Sequence, residues 1–407
     1  MKKMLSWLFL PLFLLSACDK ETTPLVEVPV DPVTLQSVAA SSQSIGWGLF
    51  REEQLANPGK NVLISPFSVQ TALQMATNGA RGATFSDIMA VLGLNGQTPG
   101  ATNALHRNLS LLLTRQSGHP EMTIANRFFF DANRIQVHAP FKDSISVYYA
   151  AGSQDINFDD EPVALGQING WVKSSTNGKI DQIVDDIAPL DVAFLINALH
   201  FKADWATGFD PDQTYSGPFT RPDGSTLPVD YVNADRNFTF TQTSDLNMVD
   251  IPFRDSTFAC SLLQPAAGNA DPDWHLEITP EKWRTLYDQS QYERAMVFFP
   301  RLKLAYKNNL VQSLKNLGMN APFSETEADF SPMGAASNRI YIKQIAHKAV
   351  LEVDEKGAEG AAVTSIGFAQ TSLPPVFSFN RPFVLVLRHV PTQTIVFLGY
   401  VANPQEG

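Results

Sequence analysis

The sequence places the chain in the α+β class on three observations. Helix and strand signals alternate along its 407 residues without the regular βαβ succession that builds a parallel sheet. Apolar residues make up 44% of it, with no internal repeat and no linker after residue 33, so residues 34–407 can close around a single large core. The stretch 355–375, EKGAEGAAVTSIGFAQTSLPP, keeps a strand's period but has no sheet of its own to enter.

Residues 1–17 carry Lys2 and Lys3, an apolar run from Leu5 to Leu15, and then Leu15-Ser16-Ala17-Cys18, a bacterial secretion signal ending in a lipobox. Small residues directly before Cys18 make it the expected lipidation site. The lipid, not the apolar run, is then the lasting membrane anchor, because the run is too short to span a bilayer. An ordinary leader followed by a chance cysteine is the alternative. From Asp19 to Val33, DKETTPLVEVPVDPV has three prolines and no period, and residues 18–33 read as a tether. Extended at about 3.1 Å per residue, it reaches roughly 45 Å. The expected location is the bacterial cell envelope, exported and anchored on the periplasmic or surface side.

The leader removes two of the 30 basic residues and none of the 41 acidic ones, leaving 28 against 41, a net charge of −13 with histidine neutral. Nothing in that balance attracts nucleic acid. With Cys18 lipidated only Cys260 remains, so no intrachain disulfide can form and stability must come from the apolar core.

Residues 34–56 form the first expected helix, with Leu35, Val38, Ile45, Leu49 and Leu55 on a recurring stripe. In NVLISPFSVQTALQMATNGARG, beginning at Asn61, Ser65 is an N-cap, Pro66 takes the first helical position and Asn78-Gly79 stops the helix. IANRFFFD (124–131) suits a strand. INGWVKSSTNGKI (168–180) suits a helix with Leu165, Ile168, Trp171 and Val172 on its apolar side, and VAFLINALHFKADW (192–205) a long strand. In 345–354, Ile345, His347, Ala349, Leu351 and Val353 share one face while Lys348, Glu352 and Asp354 share the other, the mark of a half-buried strand. Beyond it the same period continues in mostly small residues. Ala358, Gly360, Ala362, Thr364, Ile366 and Phe368 fall on a core face, and Glu359, Ser365 and Thr371 on a wet one. No proline interrupts 357–373, so nothing bars the stretch from the middle of a sheet; Pro374 and Pro375 come only afterwards.

The 355–375 stretch resembles the hinge and reactive-centre loop of the serpins, protease inhibitors whose exposed loop inserts into their main sheet. In that family an acidic residue, a glycine and a run of small residues lead to the scissile bond, matched here by Glu355, Gly357, Ala358, Glu359, Gly360, Ala361 and Ala362. The family's spacing from hinge glutamate to paired prolines puts the bond between Thr371 and Ser372. Asn61, Ser65, Pro66 and Ser68 are similar to the family's Asn and Ser-Pro-x-Ser signature. The resemblance implies that Asn61, Ser65 and Ser68 sit with Asn197 and His347 beneath the point where the sheet opens. It also implies that Trp205 and Arg301 lie at the top of the sheet, Arg301 facing Glu355. Blocks at 298–319, 328–333 and 379–404 come in the family's order, so the likeness covers about 34–404.

The likeness further implies a serpin fold of three β-sheets and about eight or nine helices with an exposed loop, a monomer, and a consumed substrate rather than an enzyme. The implied partner is a serine endopeptidase, with cysteine endopeptidases a further class. It cuts Thr371–Ser372, stays acylated to Thr371 and is dragged as the freed loop inserts. No lysine or arginine stands between Gly357 and Asn380, so a trypsin-like enzyme has no charge for its pocket, and the small Thr371 favours elastase-like or subtilisin-like enzymes. Phe368 offers a chymotrypsin-like enzyme a different cut. Three departures leave a non-inhibitory serpin as the alternative: Ala358 where threonine or serine is usual, Gly360 for a common alanine, and Val363 ending the small run.

No Ser-x-x-Lys, His-Glu-x-x-His or Gly-x-Ser-x-Gly is present, and the seven histidines show no ligand spacing. Neither metal nor cofactor is expected. A tethered solute-binding lipoprotein fits the leader and the size but gives no reason for the 355–375 stretch.

Overall fold

Proline placement and capping side chains set most of the helix starts. The computed structural model describes residues 32–114, 121–358 and 374–406. Among them are eight α-helices: α1 Pro32–Ala56, α2 Pro66–Thr77, α3 Gly82–Val91, α4 Pro99–Thr114, α5 Ala139–Tyr149, α6 Glu161–Ser175, α7 Pro280–Asp288 and α8 Val311–Asn316. In α2, α5, α6 and α7 proline occupies the first turn, where its missing N–H costs nothing. Ser65 caps α2 by accepting the Ser68 N–H, and Thr279 caps α7 by accepting that of Lys282.

Two helices depart from the sequence reading. α1 starts at Pro32, inside the expected tether, and its stripe turns away from Leu55, which is 52% exposed. Ile45 and Leu49 are buried as expected, and the next position on a 3.6-residue repeat is Glu53, fully buried. Its carboxylate accepts from Ser313 Oγ, Asn308 Nδ2 and the Tyr306 hydroxyl, which satisfies a charge no hydrophobic pattern would place there. α6 runs 161–175 rather than 168–180, because Asn177 and Gly178 both take positive φ and end it. Its fully buried residues are Ala164, Ile168 and Val172, with Leu165 and Trp171 only partly covered.

The strands form several sheets, two of them large. The long strand Thr226–Gln242 pairs with Tyr215–Thr220, Gln291–Pro300 and, through its last residues, Leu246–Pro252, which makes one continuous nine-stranded sheet. A second large sheet is split in two. One part holds Gly152–Asp155, Glu121–Phe130 and Ala193–Asp204, ending in the two residues Gly357–Ala358. The other part is the pair Leu302–Asn309 and Ala346–Val353.

Burial alternates along both parts. Leu199, Phe201 and Ala203 on one, and Leu304, Ala349, Leu351 and Val353 on the other, face the main core between the sheets. On the outer face Phe194 and Ile196 pack under α6 and the segment that comes after it. Among the described residues no helix is long and apolar enough to cross a membrane.

Candidate functional site

The two parts of the split sheet face each other without a ladder. Among the described residues, the facing edges of Ala193–Asp204 and Ala346–Val353 are paired only where Gly357–Ala358 meets the top of the first strand. Between them lies a cavity of about 800 Å³, walled by 192–199 on one bank and 336–349 on the other, with Ser65, Ser68 and Val69 of α2 beneath.

A tight turn fixes the top of the gap. The Asp354 N–H donates to the Gly357 carbonyl at 3.0 Å, and the Asp354 carboxylate accepts the N–H groups of Lys356 (2.8 Å) and Gly357 (3.2 Å). Gly357 sits at φ +139°, and a Cβ there would lie 2.2 Å from the Ala203 carbonyl oxygen, so only glycine fits. Past the turn, Gly357 and Ala358 run antiparallel to Asp204 and Ala203.

Glu355 clasps this turn to the body. Its buried carboxylate takes Arg301 Nη2 at 2.6 Å, Arg301 Nε at 2.9 Å and Thr214 Oγ1 at 2.5 Å, while Arg301 also reaches Asp230 at 3.2 Å. Burial pushes against the charge, but the Arg301 and Thr214 hydrogen bonds outweigh it and hold the carboxyl below its ordinary range. Trp205 brackets the same segment. Its indole N–H donates to the Asp354 carbonyl (2.9 Å), its backbone N–H to the Lys356 carbonyl (2.8 Å), and its ring stacks on Phe253 at 4.6 Å.

At the floor, Ser65, Ser68 and His347 come together. The Ser65 N–H donates to His347 Nε2 at 3.1 Å, and Ser65 Oγ donates to Ser68 Oγ at 3.0 Å. His347 is therefore neutral with its proton on Nδ1, and burial lowers its pKa to about 4. Asn197 stands on the opposite bank, its Nδ2 donating to Asn126 Oδ1 at 2.8 Å while its own Oδ1 is buried without a partner. Asn61 is not in this group. It binds the C-terminal strand's exit instead, donating to the Asn403 and Glu406 carbonyls and accepting the Ala402 and Asn403 N–H groups. The reason is local: Asn61 precedes the Val62–Ile64 strand, which pairs with Thr394–Val401 and so brings it to that chain end.

The structure adds residues that sequence patterns do not single out. Asn126 lies directly opposite Asn197 in the sheet, and its Nδ2 donates to the Tyr149 carbonyl. The Tyr149 hydroxyl donates to Asn103, which exchanges hydrogen bonds with Asn78. The signal was two asparagines, each inside an apolar strand. Glu359, Gly360, Ala361, Ala362, Thr371, Ser372 and Cys18 lie outside the described residues. No cluster of three metal-ligating side chains occurs among the described residues.

A split sheet with a two-residue strand already seated at its open edge defines a protein whose main sheet has room for one more strand. Comparison with known proteins agrees on which. The model of the family described as Serpin (serine protease inhibitor) matches residues 40–404. Bovine Serpin A3-8 is 32% identical over 382 residues, 91% of this chain and 89% of that protein. The native-state crystal structure of the thermophilic serpin tengpin superposes with a TM-score of 0.83 at 27% identity, covering 93% of this chain and 96% of that one. Human thyroxine-binding globulin, crystallised with thyroxine, gives a TM-score of 0.83 at 25% identity, covering 91% and 99%. The chain belongs to the serpin family, whose general activity is protease inhibition.

Proposed function

We propose that the chain traps a serine endopeptidase as a consumed substrate. The protease cleaves Thr371–Ser372, remains acylated to Thr371, and is carried off as the freed segment fills the gap. The observation that carries this reading is the open gap with Gly357–Ala358 already paired at its top. Continuing that register downward sets Gly360 against Phe201, Ala362 against Leu199, Thr364 against Asn197 and Ile366 against Leu195. These rows face the core, which the small side chains suit, and Thr364 brings a hydroxyl donor opposite the unpartnered Asn197 Oδ1. Around ten strand residues gaining ladder hydrogen bonds at ~1 kcal/mol each release on the order of 10 kcal/mol. At about 3.3 Å per residue, the thirteen residues from 359 to 371 carry the protease roughly 43 Å. Dragging of that extent distorts an active site that depends on sub-ångström positioning.

Incubation with a panel of elastase-like, subtilisin-like, chymotrypsin-like and trypsin-like enzymes, followed by denaturing gels, tests the proposal. A covalent band is expected with the first two, and the released C-terminal peptide should begin at Ser372 by mass spectrometry. A peptide beginning at Ala369 moves the cut to Phe368. Clipped chain without a covalent band sinks the inhibitory reading and favours a non-inhibitory serpin, a second reading that the ligand-bound state of thyroxine-binding globulin, a structural relative, supports. The proposed location is the bacterial envelope, with the lipid on Cys18 as anchor. Cys18→Ser should release the chain from the membrane fraction, and its retention there would remove the lipid from the account.

A further inference from the structure

We propose that Lys179, Lys307, Lys343 and Lys348 and their acidic partners form a charged latch that sets how often this chain traps its protease rather than being spent as a substrate. The inference rests on the inhibitory reading. The segment 176–191 leaves α6, passes over the outer face of the gap and returns to start the Ala193–Asp204 strand. Its underside is apolar, with Ile180, Ile183 and Val184 buried in one cluster with Phe194 and Ile196 of the near bank, against which Ala346 and Val350 of the far bank also pack.

The two sides of this strap are held by different chemistry. On the near side every bond has the strap's own backbone as one partner, so none is a pair of opposite side-chain charges, although the Ile187 N–H donates to the Glu161 carboxylate (3.0 Å). Asn169 Oδ1 accepts the N–H groups of Ile183 (2.9 Å) and Val184 (3.1 Å), and Arg134 donates to the carbonyls of Ala188 (3.3 Å) and Asp191 (2.9 Å). On the far side they are ion pairs: Lys179 with Glu352 (2.9 Å), Asp181 with Lys348 (2.5 Å), Asp185 with Lys307, and Asp186 and Asp191 with Lys343 (3.8 and 3.2 Å).

A strand entering the gap in the register set by Gly357–Ala358 turns alternate side chains outward against the strap's underside, namely Ala361, Val363 and Ser365. The strap must therefore lift from the far bank to let it pass, and the ion pairs oppose that lift. The four lysine side chains are between 18% and 41% exposed, so salt screens the pairs, whereas the near-side hydrogen bonds hold. Insertion races hydrolysis of the acyl bond, so a slower lift means more hydrolysis. Trapping then improves as ionic strength rises. The number of inhibitor molecules consumed per protease trapped does not depend on encounter rate, which makes it the proper readout.

The test titrates the full chain against a protease shown to form the covalent band, in about 0.02 M and about 0.5 M sodium chloride. The parent should consume about threefold to tenfold fewer molecules per protease at high salt. Lys343→Met/Lys348→Met should be low at both salts, with an unchanged rate of loop cleavage. Lys348→Asp should behave likewise, and adding Asp181→Lys should restore both the parent's value and its salt response, which a merely structural role for these residues would not do. Should the lysine variants fold poorly, Asp181→Asn/Asp185→Asn leaves the strands untouched and carries the same expectation. Equal consumption by parent and variants at both salts overturns the latch while leaving the inhibitor standing. A parent that forms the band with no enzyme of the panel at either salt ends the inhibitory reading and the latch with it.

Discussion

At the scale of single residues, the hinge depends on one buried carboxylate. Glu355 is 5% exposed and holds Arg301 and Thr214, while Arg301 is 45% exposed on its side-chain surface, so solvent discounts the pair without removing it. Glu355→Gln should lower native stability by about 1–2 kcal/mol at pH 7, read as a shift in the urea midpoint. The native carboxyl is held below its unfolded range, so this stabilisation is complete above about pH 4.5 and is lost as pH falls through the lowered native value. The difference between parent and variant should accordingly vanish in stronger acid. A variant as stable as the parent at pH 7 would mean that Thr214 and Arg301 bind the carboxylate without clasping the turn.

At the scale of elements, the turn that leads from Ala346–Val353 across to Gly357–Ala358 decides the start of insertion. It admits only glycine at 357, and its register puts position 358 in the row of Ala203, which is wholly buried in the main core. The sequence alone suggests that insertion begins at Ala358, whereas the structure already pairs its backbone to the sheet. Arginine at 358 would give up that native pairing, and its charge would then have to be desolvated against the core row when the loop inserts, at a cost of several kcal/mol, each 1.36 kcal/mol slowing insertion tenfold. Ala358→Arg is expected to be cut at the parent's bond and rate but to leave free, active protease. Residual protease activity after cleavage measures this; efficient trapping by the variant would place the start of insertion elsewhere.

At the scale of the whole molecule, the split sheet and the buried histidines each set a stability measurement. Cleaving the loop with a small amount of protease should raise the melting temperature, because the new strand completes the sheet, whereas an ordinary nick loosens a domain. An unchanged or lower value would mean that the gap is not filled. Burial lowers the pKa of His106 to about 3 and of His275, His347 and His389 to about 4. Unfolded histidines titrate near 6.5, so the native state binds fewer protons below that pH. Stability from this source is full above about pH 6.5 and falls on acidification toward pH 4. Denaturant midpoints measured from pH 7 to pH 4 should fall steadily, and a flat profile would mean the rings are protonated in place.

The sequence by itself determined the capped start of α2, the alternating strands and the serpin likeness, because capping, period and motif are local or carried by spacing. The described start of the hinge, Glu355, Gly357 and Ala358, was legible through motif and spacing. Tertiary structure alone decided the rest. Glu53 is buried because Ser313, Asn308 and Tyr306 arrive from distant chain to satisfy it, and Asn61 goes to the C-terminal strand because Val62–Ile64 pairs there. The lysine-held strap across the split sheet was likewise beyond sequence reading. Which strand edges stay unpaired, and which charges meet over them, is set by contacts between segments more than a hundred residues apart, as between Asp181 and Lys348.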